Sequence, residues 1–346
     1  MADPIPSRIE PVDPLPAHFG RGHRPRKLAA TAWFGLAFLL LAIATTAAPL
    51  SLWWIGIDQI ISSREFALGY YGALIGGAIL LPLAAVKCFV HAKRVRSPSA
   101  LEILASEHRP PVVYFRPFTA DVKAKPRGLR STTEEEAIAY ALNNIGPLIA
   151  IGTPEETLPS LGAARMYVDN EKWREAALDL LGRAAVVIMR IGSTPGFWWE
   201  FETVMQRVKP EKLVLLIPRD QALYEEFRIA SHKLMPTPLP ALTGLDHNWI
   251  ARKWPKSNRL KAVILFDSKW AASVVDVQTL SLPFLRRGGR KGMAPVLRMA
   301  LRPVYQKAGL RWTGPPINGE TVFTLGLAVV STVAMVVSII VWLRYR

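Results

Sequence analysis

The chain has 346 residues, a formal net charge of +16 and 50% hydrophobic residues. Its single cysteine, Cys88, excludes an internal disulfide and a cysteine-ligated zinc cluster, and the six histidines lack metal-ligand spacing, so no metal site is predicted. The sequence also lacks the GxxxxGK[ST] phosphate loop, the GxGxxG dinucleotide motif and the GxSxG nucleophile elbow, which removes the usual signatures of those enzyme classes.

Residues 1–29 form a basic N-terminal segment, and a charge-free run from Ala30 to Leu52 follows it. A helix of this length spans the ~30 Å hydrocarbon core of a bilayer, and tryptophans lie near both of its ends, as interfacial aromatics do. A signal peptide with cleavage near Ala44–Ala48 is the alternative. The long segment ahead of the run and the second apolar run soon after it favour a membrane span.

Two further apolar runs predict two further membrane helices. Phe66–Val86 is long enough to span, and it completes a transmembrane helical hairpin over residues 30–92. Val322–Leu343 predicts a third transmembrane helix over residues 321–343. The sequence therefore predicts three transmembrane α-helices in addition to any folded domain.

The distribution of lysine and arginine predicts the orientation of these helices. Bases are frequent at residues 21–27 and 93–96, which flank the hairpin, whereas the loop between its two helices has only Arg64. Cytoplasmic segments next to membrane helices carry an excess of such residues. We therefore expect a multi-pass protein of the cell inner membrane, with the region from Lys93 to Glu320 in the cytoplasm.

A second basic segment, at residues 284–316, precedes the third predicted span. The bases between 286 and 311 have no acid among them, and we expect them to contact the anionic lipid headgroups of the bilayer rather than nucleic acid. Apolar residues from Val296 to Val304 are interspersed with these charges. This pattern predicts an amphipathic helix that lies on the membrane surface.

Residues 110–275 have the pattern of an α/β domain, in which apolar runs alternate with amphipathic segments. The predicted strands are 111–118, 148–151, 185–191, 213–217 and 262–266, and the predicted helices are 132–144, 170–182, 195–208 and 221–231. Strands that are apolar on both faces and separated by helices predict a doubly wound parallel sheet. Ligands bind such sheets beyond the carboxyl ends of the strands, so the loops after 118, 151 and 191 matter most.

The segment IGSTPGFWWEFETV, which begins at Ile191, combines several groups that suit a nucleotide. Ser193 or Thr194 can cap the helix, and the backbone N–H groups at its start can hold a phosphate. At 100° per residue, Glu200 and Glu202 flank the core-facing stripe on opposite sides, and Trp199 points away from the core. Trp199 can then stack on a base or a nicotinamide while a carboxylate binds ribose hydroxyls. The alternative is that both glutamates are solvated and that Trp199 lies in a protein interface.

A strand, a short loop and a helix bearing Trp and Glu resemble the Toll/interleukin-1 receptor (TIR) domain family. Trp198 and Glu202 have the W-x-x-x-E spacing of members that cleave NAD. The loop that contains Ser193 and Thr194, followed by Trp199 and Glu200, is similar to that of nucleoside 2-deoxyribosyltransferases. The two resemblances nominate different glutamates, and the assignment between Glu202 and Glu200 stays open.

Two other segments carry the same resemblance. YFRPFTAD looks like the first TIR strand and its loop, with Arg116 and Asp121 where that loop approaches a ligand. LGAARMYVDNEKW, from Leu161 to Trp173, is similar to a segment of bacterial membrane-tethered TIR-like proteins, and Arg165 is its one obvious anion binder. The resemblance covers about residues 111–218.

The resemblance implies a flavodoxin-like fold, a homo-oligomer, and a nucleotide site in a protein of signalling or defence. In that site, Glu200 or Glu202 is catalytic, while Arg116 and Arg165 hold phosphates. NAD is implied as a substrate, through hydrolysis of its N-glycosidic bond, and no resident cofactor is implied. The alternative is a non-catalytic, membrane-tethered module that signals by assembly.

Overall fold

The structure is a computed structural model, and its description omits several segments. The described residues are 26–55, 64–116, 134–152, 161–168, 171–242, 260–277 and 293–310, with the backbone alone for 45–55, 64–79 and 293–294. The third predicted span, Asp121 and the basic residues 284–292 lie outside them. The described chain divides into two compact units, one from Arg26 to Arg96 and the other from Ser97 onward.

The first unit is a pair of antiparallel helices, α1 (Lys27–Ile55) and α2 (Arg64–Arg96). The start of α1 lies beside the end of α2, where the backbone N–H of Arg26 donates a hydrogen bond to the carbonyl of Val95 at 3.3 Å. Closer to the loop, the rings of Phe34 and Phe89 meet edge to face at 5.3 Å. Residues 30–92, which were predicted as a helical hairpin, lie within these two helices and their connection.

Small residues fill the contact between α1 and α2, and large apolar residues face outward. The buried residues are mainly alanines, namely Ala30, Ala37, Ala85 and Ala92. By contrast, Phe38 is 59% exposed and Leu80 is 66% exposed. This arrangement resembles membrane helix pairs, in which small residues let the backbones approach closely.

Only one helix among the described residues is long and apolar enough to cross a membrane, at Lys27–Ala44. This criterion uses length and composition alone, and a signal sequence would also meet it. The prediction of three transmembrane helices is therefore not supported. The second predicted span is helical within α2 but is not among the candidates, and the third lies outside the described residues.

The second unit is built on a seven-stranded sheet. Its strands are β1 (Val112–Phe115), β2 (Leu148–Gly152), β3 (Ala164–Tyr167), β4 (Val186–Arg190), β5 (Leu213–Pro218), β6 (Leu260–Phe266) and β7 (Ala272–Asp276). Their order across the sheet is β3-β2-β1-β4-β5-β6-β7. The strands β1 to β5 are parallel, as predicted, but β6 and β7 run antiparallel, so the sheet is mixed rather than wholly parallel.

Helices cover both faces of this sheet, as expected for a doubly wound fold. They are α3 (Ala100–Ser106), α4 (Glu134–Leu142), α5 (Trp173–Arg183), α6 (Pro195–Arg207), α7 (Gln221–Ser231), α8 (Met293–Ala300) and α9 (Arg302–Lys307). One face packs against α5, α6 and α7, and the other packs against α4, α8 and α9. The two apolar clusters are separate because successive side chains of a strand point to opposite faces.

The described part of the second basic segment, residues 293–310, packs on protein. Val296, Leu297 and Val304 of α8 and α9 are buried in the same cluster as α4. The Tyr305 hydroxyl donates a 2.6 Å hydrogen bond to the carbonyl of Ala141. The prediction of an amphipathic helix on the membrane surface is therefore wrong over residues 293–307, because its apolar stripe is already buried.

Candidate functional site

The carboxyl ends of β1 and β4 form the point at which the sheet changes winding direction. From β1 the chain moves outward to β2 and β3, and from β4 it moves the opposite way to β5. Connections that diverge from two neighbouring strands leave a crevice beyond their ends, where α/β sheets bind ligands. The helix that follows β4 is α6, and α4 lies on the opposite face with its first turn toward the same edge.

The start of α6 is fixed by a threonine cap and a proline. The Thr194 hydroxyl accepts a hydrogen bond from the backbone N–H of Phe197 at 3.3 Å, and Pro195 occupies the first helical turn. Ser193 is exposed and Thr194 is half-buried, so Thr194 is the capping residue of the two that the sequence offered. The helix start therefore lies where the sequence predicted it.

Glu200 and Glu202 differ sharply in environment. Glu200 is only 8% exposed, and its burial raises the pKa of its carboxyl to about 8. Glu202 is exposed, and its carboxylate accepts a long contact of 3.5 Å from the Gln206 amide. The two residues lie on opposite sides of the core-facing stripe of α6, as predicted, and of the two only Glu200 is buried.

Two helices flank α6, and the buried Glu200 lies on the side that faces α5. Trp199 contacts Trp173 of α5, whereas Trp198 stacks against Phe227 of α7 at 5.6 Å. At 100° per residue, Glu200 lies on the Trp199 side of the helix. Because α5 arrives from β3 and α6 leaves toward β5, the flank of α6 that carries Glu200 faces the β1 side of the sheet rather than the β5 side.

The two tryptophans make contacts within the domain. The rings of Trp199 and Trp173 meet edge to face at 4.8 Å, and the guanidinium of Arg174 lies 5.3 Å from the Trp199 ring centre. Trp198 joins an aromatic cluster with Phe197 and Phe227. Trp199 was predicted to point away from the core, but it is half-buried and packs against the core cluster and Trp173 of α5.

Arg116 and Arg165, which were predicted to hold phosphates, meet at one carboxylate on the α4 face of the sheet. The Arg165 guanidinium donates to both oxygens of Glu135, at 2.8 and 2.9 Å, and Arg116 forms an ion pair with the same side chain. The Arg165 side chain is 0% exposed. Arg165 is therefore a structural partner of Glu135, and its phosphate-binding role is corrected because none of its side chain reaches solvent.

A second ionic group beside the first was missed in the sequence. The Tyr114 hydroxyl donates to the Glu134 carboxylate at 2.8 Å, and Arg190 at the end of β4 forms an ion pair with the same carboxylate. Burial and the charge of Glu134 raise the pKa of Tyr114 well above its usual value. Burial alone would lower the pKa of Arg190, but its pairing with Glu134 outweighs this, and the net shift is upward. The acids in the first turn of α4 could have indicated this group in the sequence. They suit a helix start, and they also attract basic side chains from neighbouring strands.

The predicted site residues therefore form two groups. Arg116 and Arg165 lie on the α4 face, whereas Glu200 and Trp199 lie on the α6 helix of the other face. Asp121 lies outside the described residues. Within the part of the chain that the structure describes, no cluster of three His, Cys, Asp or Glu residues is arranged to hold a metal ion.

The chain was compared with protein-family profiles, with curated proteins and with solved structures, and none of them matches it.

Proposed function

We propose that the chain is a membrane-anchored protein of TIR-like type, whose cytoplasmic α/β domain binds a nucleotide and hydrolyses the N-glycosidic bond of NAD. Glu200 is the catalytic carboxyl in this proposal. One observation carries it: a carboxyl group with almost no solvent contact lies on α6, the helix that leaves the carboxyl end of β4, where such sheets bind ligands.

The strand order supports a nucleotide site but agrees only in part with a flavodoxin-like sheet. With all strands counted, β3-β2-β1-β4-β5-β6 is the 3-2-1-4-5-6 order of dinucleotide-binding sheets, with its sixth strand reversed. The 2-1-3-4-5 order of flavodoxin-like sheets appears only when the edge strand β3 is treated as an addition. In both orders, ligands bind beyond the carboxyl ends of β1 and β4, and α6 is the helix that follows β4.

The environment of Glu200 favours it over Glu202 as the reacting group. Perturbed carboxyl pKa values are typical of catalytic sites, and the pKa of Glu200 is raised to about 8 by burial. The nicotinamide ring of NAD is cationic, and a nearby positive charge lowers a carboxyl pKa. Ligand binding therefore favours the ionised form of Glu200 at neutral pH.

The ionised carboxylate then has a defined role in the reaction. The bond between ribose C1′ and the nicotinamide nitrogen breaks, its electron pair neutralises the ring, and positive charge develops on the ribose. The Glu200 carboxylate stabilises that charge. Water adds to C1′ and its proton passes to the carboxylate, so that the products are ADP-ribose, nicotinamide and a proton.

The proposed anchoring is supported by the packing of α1 and α2. Soluble helices bury their large apolar side chains, whereas this pair buries alanines and exposes Phe38, Leu39 and Leu80. Large apolar residues that face outward suit a lipid environment, and the bases at residues 93–96 orient the hairpin toward the cytoplasm.

The test of the catalytic proposal is NAD loss in membrane vesicles that carry the full chain. We expect Glu200→Gln to lower the rate at least about 100-fold, because the amide cannot ionise. The matched control is Glu202→Gln, two residues away on the exposed flank, which we expect to leave the rate within about twofold of the unmodified chain. An unchanged rate in both variants, with the wild-type chain active, would contradict this proposal.

A second candidate function is a non-catalytic module that signals by assembly, and the packing of Trp199 favours it. The Trp199 ring packs against Trp173 and Arg174, so the three side chains form one group across α5 and α6. Absence of NAD loss in wild-type vesicles, together with a change of oligomeric state in Arg174→Glu, would support the module over the enzyme.

A further inference from the structure

We infer that the paired ends of α1 and α2 form a binding site for the phosphate-bearing headgroup of an anionic phospholipid. The inference rests on the membrane anchoring in the proposed function and is independent of the catalytic part. Five basic residues lie at this end of the hairpin, at the start of α1 and in the last turn of α2. They define the headgroup site: Arg26, Lys27, Lys93, Arg94 and Arg96.

The two helices bring these residues together, although they are distant in sequence. The 3.3 Å hydrogen bond from the Arg26 N–H to the Val95 carbonyl places the start of α1 against the last turn of α2. The residues Ala92 and Val95 are buried there, so the bases on either side of them border the contact between the helices. The headgroup site is therefore a product of the fold of the hairpin.

The charge at this end is one-sided. Five of the seven lysines and arginines at the hairpin's described positions lie here, whereas the acid among those positions, Glu65, lies beside Arg64 at the far end of α2. A phosphate diester carries the opposite charge, so this end of the hairpin attracts it.

The aromatic residues beneath the bases indicate a headgroup at the membrane surface. The rings of Trp33 and His91 meet edge to face at 4.6 Å, and the Lys93 ammonium lies 5.1 Å from the centre of the Phe89 ring. Tryptophan is enriched at the level of the lipid headgroups, and lysine stems pack on apolar groups while their charges reach the polar layer. The bases therefore lie at the depth of lipid phosphates.

The test measures lipid binding to the full chain in mild detergent by native mass spectrometry, with phosphatidylglycerol as the anionic probe and phosphatidylcholine as the zwitterionic control. We expect phosphatidylglycerol to bind more tightly. Two variants neutralise one helix each: Arg26→Gln with Lys27→Gln, and Lys93→Gln with Arg94→Gln and Arg96→Gln. Each variant should weaken phosphatidylglycerol binding at least about fivefold.

Combining the two variants distinguishes a single site shared by both helices from diffuse electrostatic attraction. When both sets are combined, the loss should differ from the product of the two separate losses, because residues that act on one ligand are coupled. The matched control is Arg64→Gln at the far end of α2, which should bind phosphatidylglycerol like the unmodified chain.

Three results would overturn the inference: equal binding of the two lipids, losses that simply multiply, or an equal loss in Arg64→Gln. Competition by millimolar inorganic phosphate would also overturn it, since it would show a soluble anion site. Failure of the chain to associate with membranes would be seen separately by extraction, before lipid binding is measured.

Discussion

At the scale of single residues, the two glutamates of α6 show how position on a helix sets chemistry. Glu200 and Glu202 are identical in type and two positions apart, yet one is buried and the other is exposed. Their placement on opposite flanks followed from helical periodicity alone. Which of the two is buried did not, because it depends on the arrival of α5 from a distant strand.

The raised pKa of Glu200 predicts a pH-dependent stability. The group has a pKa of about 8 when folded and an ordinary value of 4.5, so between these pH values the folded chain holds one more proton than the unfolded chain. The stability linked to this proton is full below pH 4.5 and is lost as the pH rises toward 8, at roughly 1.4 kcal/mol per pH unit. Glu200→Gln should remove this dependence.

The measurement is urea unfolding of the full chain in nanodiscs, followed by tryptophan fluorescence between pH 5 and 8. Glu202→Gln serves as the control and should keep the slope of the unmodified chain. If the unmodified chain and Glu200→Gln lose stability in parallel over this range, the carboxyl of Glu200 is not held in its protonated form.

The ion pair of Glu135 predicts a large loss of stability on substitution. Glu135→Gln leaves the buried Arg165 guanidinium without its carboxylate, which should lower the free energy of unfolding by about 3–5 kcal/mol. The pair Glu107–Arg109 has the same 2.8 Å separation but is 32–43% exposed, so Glu107→Gln should cost about 0–1 kcal/mol. Urea unfolding of the three chains checks this, and similar losses for both substitutions would show that burial does not set the cost.

At the scale of secondary structure, α6 was predictable and β3 was not. The predicted helix 195–208 matches Pro195–Arg207, because a threonine cap, a first-turn proline and a regular apolar stripe all mark it. By contrast, β3 is four residues long and carries the buried Arg165, so it lacks the continuous apolar run of a central strand. The edge strand β7 was missed for a similar reason, since it is only half-buried.

Helices α8 and α9 show where periodicity stops being informative. Their apolar stripe was identified correctly, but it was assigned to a membrane surface. The residues Val296, Leu297 and Tyr305 contact α4 and the sheet instead. An amphipathic pattern specifies that one face must leave water, and it does not specify whether lipid or protein covers that face. The sequence also did not predict the ionic groups at the start of α4, because their side chains come from three strands, β1, β3 and β4, that are distant in sequence.

At the scale of the whole molecule, the chain combines an outward-facing apolar hairpin with an α/β domain. The proposed anchoring predicts that the full chain stays in the membrane pellet after alkaline carbonate treatment, because the apolar residues of α1 remain in lipid. Intact mass measurement of the same sample checks the alternative of a signal peptide. Release into the supernatant, or a chain shortened by cleavage near Ala44–Ala48, would contradict the proposal.

The contact between α4 and α8 has a consequence for synthesis of the chain. The apolar face of α4 is made early, yet its cover is made late, and the hydrogen bond from Tyr305 to Ala141 joins the two. During translation, the apolar face of α4 stays exposed to water until residues 293–307 have left the ribosome. A nascent chain therefore exposes this face to chaperones and to misassembly, and α8 can close over α4 only late in synthesis.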